Sequence, residues 1–244
     1  MTRLTGKIAV VTGAASGPTA RIAGRLAGEG AAVVINDATD GDGAARVAAD
    51  IVRRGGRAVA VQGDVSKSQD VRRIFRATDE IFGRPDIVVN NAGIFRVEQL
   101  DVEAPTDAHR AFAVNVFGTF LMCQEAARQF GAKGGIIINM SSTGNATPDE
   151  EAHSTIKGAI DMLTLGLARE FAARGIRVVS VDPASFDAED LYEPGLPETM
   201  PRRIAGLTTL RRRGRLTGAG TFAASDDVAF IRNELVASAG WRGW

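Results

Sequence analysis

The chain has 244 residues, 45% of them hydrophobic and 24% charged, and its formal net charge is zero. It can therefore bury a substantial core and stay soluble, and a basic surface for nucleic acid is not expected. One cysteine and two histidines exclude a disulfide framework and a structural zinc site. No apolar run approaches ~20 residues, so we expect a cytoplasmic protein with no membrane span and no signal peptide.

Short apolar runs alternate with helical patterns in the first half of the chain. The predicted strands are Ile8–Val11, Ala32–Ile35, Ala58–Val61 and Ile87–Val89. The helices between them are Arg21–Gly28, Gly43–Arg54 and a third helix with the apolar stripe Val71, Ile74, Phe75, Thr78, Ile81 and Phe82. Strands that are apolar throughout are buried on both faces. The repeated strand–helix order predicts a Rossmann-type, doubly wound α/β/α fold in three layers, with a mainly parallel seven-stranded sheet.

The second half continues this order in one domain covering residues 1–244. The predicted elements are a helix at Ala108–Phe130, a strand at Gly135–Met140, a helix at Ala152–Ala173, a strand at Ile176–Val181 and a closing strand at Glu234–Ser238. Residues 183–220 contain four of the eight prolines and follow the carboxyl end of a strand. Ligands bind at such ends in open α/β sheets. This segment is therefore either a substrate lid or an irregular excursion.

The stretch VVTGAASGPTA follows the first strand and opens the first helix. In that position, exposed backbone N–H groups and a helix N-terminus can hold the pyrophosphate of a dinucleotide. Gly13, Ser16 and Gly17 are the candidate contacts. Asp37 ends the second strand, where a carboxylate accepts hydrogen bonds from the ribose of NAD and repels the extra phosphate of NADP. Asp37 could also be an ordinary turn residue.

His153 and Lys157 lie one helical turn apart at the start of the predicted helix Ala152–Ala173. The buried face of that helix is defined by Ile156, Ile160, Leu163, Leu167 and Phe171. At about 100° per residue, both polar side chains lie at the edge of this face. They could point into a partly buried cleft. From spacing alone, a lone histidine beside an apolar face is more often a structural residue than a catalytic one.

Several motifs, in order and in matching contexts, resemble the short-chain dehydrogenase/reductase family. They are TGAASG, GDVS, NNAG, NVFGTF, INMSS, the lysine of HSTIK, and FAASDD. The resemblance covers nearly the full length and implies an oxidoreductase that uses a nicotinamide dinucleotide. It implies cofactor contacts at Gly13, Ser16, Gly17, Asp37, Asp64, Val65, Asn91, Ala92, Gly93, Lys157 and Pro183.

The resemblance also implies catalytic roles for Asn115, Ser142 and Lys157, and it puts His153 where the family has its proton-donating tyrosine. Imidazole can act as an acid or base near neutral pH. A neighbouring ammonium group disfavours the imidazolium form, so we expect His153 to act better as a base than as an acid.

The glycine turn departs from the family pattern at two positions. Pro18 has no N–H to offer a phosphate, and Thr19 replaces the third glycine, although its hydroxyl could donate instead. The turn either tolerates these changes or has lost the cofactor. Three functions therefore stay open: an NAD-dependent alcohol or carbonyl oxidoreductase, a non-redox enzyme with His153 as base, and a catalytically silent binding protein. We expect a small-molecule substrate and a homo-oligomer.

Overall fold

The computed structural model describes residues 2–94, 104–141, 151–181, 224 and 235–236. In chain order the elements are β1 (Ile8–Thr12), α1 (Gly17–Gly28), β2 (Ala32–Asp37), α2 (Gly41–Arg53), β3 (Arg57–Gln62), α3 (Ser68–Ile81), β4 (Ile87–Asn90), α4 (Pro105–Phe112), a π-helical turn (Ala113–Phe117), α5 (Gly118–Gln129), β5 (Gly135–Met140), α6 (Glu151–Phe171), a 3-10 turn (Ala172–Arg174), β6 (Ile176–Val181) and β7 (Leu235–Val236). Within those residues no helix is both long enough and apolar enough to cross a membrane.

The seven strands form one sheet in the order β3-β2-β1-β4-β5-β6-β7, and every neighbouring pair is parallel. This confirms the predicted Rossmann-type fold. The chain starts at β1, runs outward to β3, and then returns to β4 on the other side of β1. The strand order therefore reverses between β1 and β4, and in open α/β sheets this crevice is where ligands bind.

Alternate residues of the strands pack into two separate hydrophobic cores, one on each face of the sheet. On β1, Ala9 and Val11 pack with α1 and α2, whereas Val10 packs with α3, α5 and α6. Burial of both strand faces explains the uninterrupted apolar runs. Cys123 lies at 0% exposure in the second core. Burial raises the pKa of its thiol to about 12, so it is a core residue, as predicted.

Several predicted helices differ from those observed, and α1, for example, begins at Gly17 and not at the predicted Arg21. The predicted helix Ala108–Phe130 begins at Pro105, and its regular geometry is interrupted by the π-helical turn Ala113–Phe117. In the third helix Ile81 is 49% exposed, so its place in the buried stripe was predicted wrongly. Ile81 lies about 70° from the centre of the stripe, at about 100° per residue. It also belongs to the last turn, where Phe82 reaches the core instead.

Candidate active site

The glycine turn joins the end of β1 to the N-terminus of α1. Gly13 and Gly17 have φ of 62° and 63°, a region that favours glycine. A Cβ placed on Gly17 would meet no atom of the described residues within 4 Å, so nothing in that part of the chain covers the backbone there. Ser16 is the N-cap residue of α1, but its side chain makes no capping bond. Pro18 fits the first turn, and Thr19 is only 3% exposed.

Thr12, at the end of β1, fastens the glycine turn to the loop that follows β4. Its Oγ1 accepts hydrogen bonds from the backbone N–H groups of Asn91 at 3.1 Å and Ala92 at 3.0 Å. On the other side, a Cβ on Gly13 would lie 2.8 Å from the Cα of Ala92. The two predicted cofactor-binding loops therefore touch through backbone atoms. Sequence reasoning missed Thr12, although it is the first residue of the TGAASG motif.

Asp37 serves the turn after β2 with one carboxylate oxygen. Its Oδ1 accepts hydrogen bonds from the backbone N–H groups of Thr39 and Asp40, both at 3.0 Å. Its Oδ2 makes no hydrogen bond with any residue that the structure describes. One carboxylate oxygen of Asp37 therefore stabilises the turn. The other, Oδ2, is a hydrogen-bond acceptor at the sheet edge where β1 and β2 end.

Asp64 and Val65 form the loop after β3. Burial by itself would raise the pKa of Asp64, but hydrogen bonds from Ser66 and Arg110 outweigh burial and keep the pKa below its ordinary value. Val65 is 3% exposed, and a Cβ on Gly118 would lie 2.7 Å from its Cγ2. This close packing presses the loop against the start of α5.

Asn115 sits in the π-helical turn and is 3% exposed. Its Oδ1 accepts a hydrogen bond from the N–H of Ile94, and its Nδ2 donates to the carbonyl of Ile94, both at 2.9 Å. A Cβ on Gly93 would lie 2.4 Å from Asn115 Oδ1, so this approach requires glycine. The side chain of Asn115 therefore anchors the loop 91–94. π-Helical turns occur frequently at functional sites.

The predicted pair His153 and Lys157 lies on α6, and both side chains are partly buried. Lys157 Nζ donates a 2.8 Å hydrogen bond to the carbonyl of Met140, at the carboxyl end of β5. Two further bonds hold α6 on the sheet: Asn139 Nδ2 to Thr164 Oγ1 at 2.8 Å, and Ser180 Oγ to Asp161 Oδ1 at 2.6 Å. Lys157 is therefore fixed at the same sheet edge as the glycine turn.

Some predicted site residues fall outside the described residues: Ser142, Pro183 and the predicted lid 183–220. Those that are described lie at the end of β2 or on loops and helices following β1, β3, β4 and β5, which is one edge of the sheet. Over the described ranges no group of three or more histidine, cysteine, aspartate or glutamate side chains could hold a metal ion.

Replacing Asn115 by Ala should lower the free energy of unfolding by about 2–3 kcal/mol. The change leaves the N–H and the carbonyl of Ile94 without their partners in a partly buried setting. Urea denaturation measures the loss. As a control, Gln129→Ala removes only a bond to Glu125 one turn away and should cost about 0.5 kcal/mol or less. Equal losses for the two variants would contradict the anchoring role of Asn115.

A doubly wound parallel sheet with a glycine turn at its switch point is the architecture of many dinucleotide-binding α/β proteins. The profile of the short chain dehydrogenase family matches residues 7–193. An uncharacterized oxidoreductase of Methylorubrum extorquens is 40% identical over 248 residues, covering 98% of this chain and 99% of the relative. The chain therefore belongs to the short chain dehydrogenase family.

Solved structures agree with this assignment. A short-chain dehydrogenase/reductase from Serratia marcescens superposes with a TM-score of 0.84 at 32% identity, covering 95% of each chain. A short chain dehydrogenase from Burkholderia cenocepacia, solved in complex with NADP, gives a TM-score of 0.83 at 33% identity and the same coverage. Oxidoreductase chemistry of this family's kind is the activity that fold and relatives support.

Proposed function

We propose that the protein is an NAD(H)-dependent oxidoreductase that interconverts an alcohol and a carbonyl group in a small molecule, with His153 as acid and base. The observation that carries this proposal is the arrangement of one sheet edge. The open backbone at Gly17 and the Lys157 ammonium bound to Met140 both belong to that edge. The first could accept a pyrophosphate and the second a ribose.

The uncapped Ser16 hydroxyl and the open space at Gly17 fit the phosphates of a dinucleotide. Asp37 Oδ2 supports NAD over NADP, because a carboxylate accepts from ribose hydroxyls and repels a 2′-phosphate. The Burkholderia cenocepacia relative was solved with NADP. The proposed preference of this chain for NAD over NADP is therefore argued from Asp37 and not from that relative.

When bound, NAD would accept the hydride that leaves the carbinol carbon. His153 takes the hydroxyl proton as the C–O bond becomes a carbonyl, and in the reverse direction it returns that proton. Ser142 donates a hydrogen bond to the reacting oxygen. Lys157 holds the ribose and places a positive charge near the site, which favours the neutral, proton-accepting form of His153.

A non-redox reaction with His153 as base is the second candidate, and Pro18 favours it. Proline removes one backbone N–H from the helix start, and Thr19 is too buried to offer much surface in its place. If these changes abolish dinucleotide binding, His153 could take a proton from carbon while Ser142 stabilises the oxyanion.

Absorbance at 340 nm distinguishes the two candidates. The purified protein is incubated with NAD or NADP and a panel of secondary alcohols, and with NADH and the matching ketones. The oxidoreductase proposal expects NADH formation with NAD and a much slower rate with NADP. Turnover of a substrate without any change at 340 nm would contradict it and support the non-redox reaction.

The same proposal includes a homo-oligomer built on α4, α5 and α6. Large apolar side chains are exposed there: Phe112 at 39%, Phe117 at 52%, Phe120 at 40% and Met162 at 69%. Phe117 and Phe120 stack with their ring centroids 6.2 Å apart. Exposed apolar side chains that contact each other, as Phe117 and Phe120 do, are typical of an interaction surface, and a second copy of the chain is the occupant proposed.

Native mass spectrometry tests the oligomer. Phe120→Glu should convert the assembly to monomers, because a carboxylate would be buried in an apolar contact. Val52→Glu, at a 53% exposed apolar residue on α2, is the matched control and should leave the assembly intact. A wild-type monomer would overturn this part of the proposal.

A further inference from the structure

Four polar side chains form one row along α6, beside its apolar face. They are spaced by four, four and three residues: His153, Lys157, Asp161 and Thr164. Residues three or four apart lie on the same side of a helix. The first two residues are the predicted site pair, so the row continues from the site for about two further turns of the helix.

Thr164 joins this row to β5 through a buried hydrogen bond. Its Oγ1 accepts from Asn139 Nδ2 and donates to the carbonyl of Ile160, both at 2.8 Å. Asn139 is 0% exposed, and its Oδ1 accepts from Asn90 Nδ2 of β4 at 2.9 Å. Because the amide of Asn139 is held from both sides, the donor that meets Thr164 is fixed to the sheet.

Asp161 joins the same row to the next strand. Its Oδ1 accepts a 2.6 Å hydrogen bond from Ser180 Oγ, and Ser180 is buried on β6. The apolar contacts of α6 are non-directional, whereas hydrogen bonds depend steeply on distance and angle. The bonds at Asp161 and Thr164 therefore fix the rotation of α6 and its position along the sheet, which apolar packing alone does not.

We propose that Asp161 and Thr164 are positioning residues, which hold α6 in the register that places His153 and Lys157 at the site. This inference rests on the proposed function, because that function gives the pair its use. Thr164 lies about 10 Å along the helix axis from Lys157, so it acts through the helix and not by touching a ligand. Placement matters to reacting groups, since a displacement of about 1 Å can lower a rate about 10²-fold.

Kinetics at 340 nm and hydrogen–deuterium exchange of the ligand-free protein test the inference on the same variants. Thr164→Val keeps the shape of the side chain but removes the bond to Asn139. It should lower kcat about tenfold and leave KM within about twofold of the wild-type value. The backbone amides of residues 155–160 should exchange about tenfold faster than in the wild-type protein. Thr164→Ser keeps the hydroxyl and should return kcat and the exchange rates to within about twofold of wild type.

Thr78→Val is the matched control. Thr78 is a buried threonine on α3 whose hydroxyl also donates a 2.8 Å bond to the carbonyl four residues earlier, but its side chain bonds to no other element among the described residues. Its replacement should change neither kcat nor the exchange of α6. Ser180→Ala removes the bond between Asp161 and β6 and should act in the same direction as Thr164→Val. It replaces Thr164→Val if that variant does not fold.

Wild-type kcat and wild-type exchange of residues 155–160 in Thr164→Val, or in Ser180→Ala where it stands in, would overturn the inference and leave the proposed function standing. Faster exchange confined to the residues around Thr164, with kcat unchanged, would also overturn it, because the bond would then have only a structural role. No change at 340 nm with the wild-type protein would overturn the proposed function. The exchange rates would then still decide whether Asp161 and Thr164 hold the start of α6.

Discussion

Replacing His153 by Phe is expected to lower kcat by roughly 10²–10⁴-fold, which is the contribution of a positioned acid–base group. Phenylalanine keeps an aromatic ring on α6 but cannot take or return the substrate proton. Because Lys157 and its bond to Met140 are untouched, the affinity for NAD should stay within about twofold of the wild-type value. Steady-state kinetics at 340 nm and calorimetry measure the two quantities separately.

The chain offers a matched control, since its other histidine is His109, exposed on α4. His109→Phe should leave kcat unchanged. His153→Tyr introduces the tyrosine that the proposed correspondence with the family places at this position, and it should retain activity or raise it. Full activity of His153→Phe would show that the proton moves through another group and would remove His153 from the mechanism.

The second large effect separates two glycines of the same turn. Gly13→Ala should lower the free energy of unfolding by about 2–4 kcal/mol, because φ is 62° and the new Cβ would press on the backbone of Ala92. Gly17→Ala should cost only about 1 kcal/mol, since φ is 63° but no atom of the described residues lies within 4 Å of the new methyl group.

Gly13→Ala should have the larger effect on stability, whereas Gly17→Ala should have the larger effect on the affinity of the folded protein for NAD. The Gly17 methyl would stand in the space assigned to the pyrophosphate and should weaken NAD binding by about tenfold or more, although the fold is nearly unaffected. Chemical denaturation and calorimetry on the same samples measure both effects. Normal NAD affinity in Gly17→Ala would mean that the dinucleotide does not approach the turn there.

The sequence could predict the sheet because each strand is a short apolar run between turn residues. The order of such runs and helices determines a doubly wound topology. The sequence could not predict the π-helical turn at Asn115. The spacing of apolar residues there is that of an ordinary α-helix, and no residue type marks the position of the extra residue in the turn. Ile81 shows a similar limit, since periodicity does not reveal where a helix passes the edge of the core.

In the site, the residue types were easier to predict than their partners. Gly13, Gly93 and Asn115 could be named from motifs, and their close contacts explain why those residue types are needed. Arg110 could not be found, because it meets Asp64 across 46 residues of sequence through side chains alone. Thr12 was inside a motif, but its bonds to the loop after β4 depend on the strand order.

The most direct test of the account is a calorimetric titration of NAD and NADH into the wild-type protein and Gly17→Ala. The account predicts saturable binding to the wild-type protein, with one dinucleotide per chain and a Kd at or below about 1 mM, and markedly weaker binding to the variant. No binding of either form to the wild-type protein at this concentration would contradict it and would leave His153 and Lys157 to serve different chemistry.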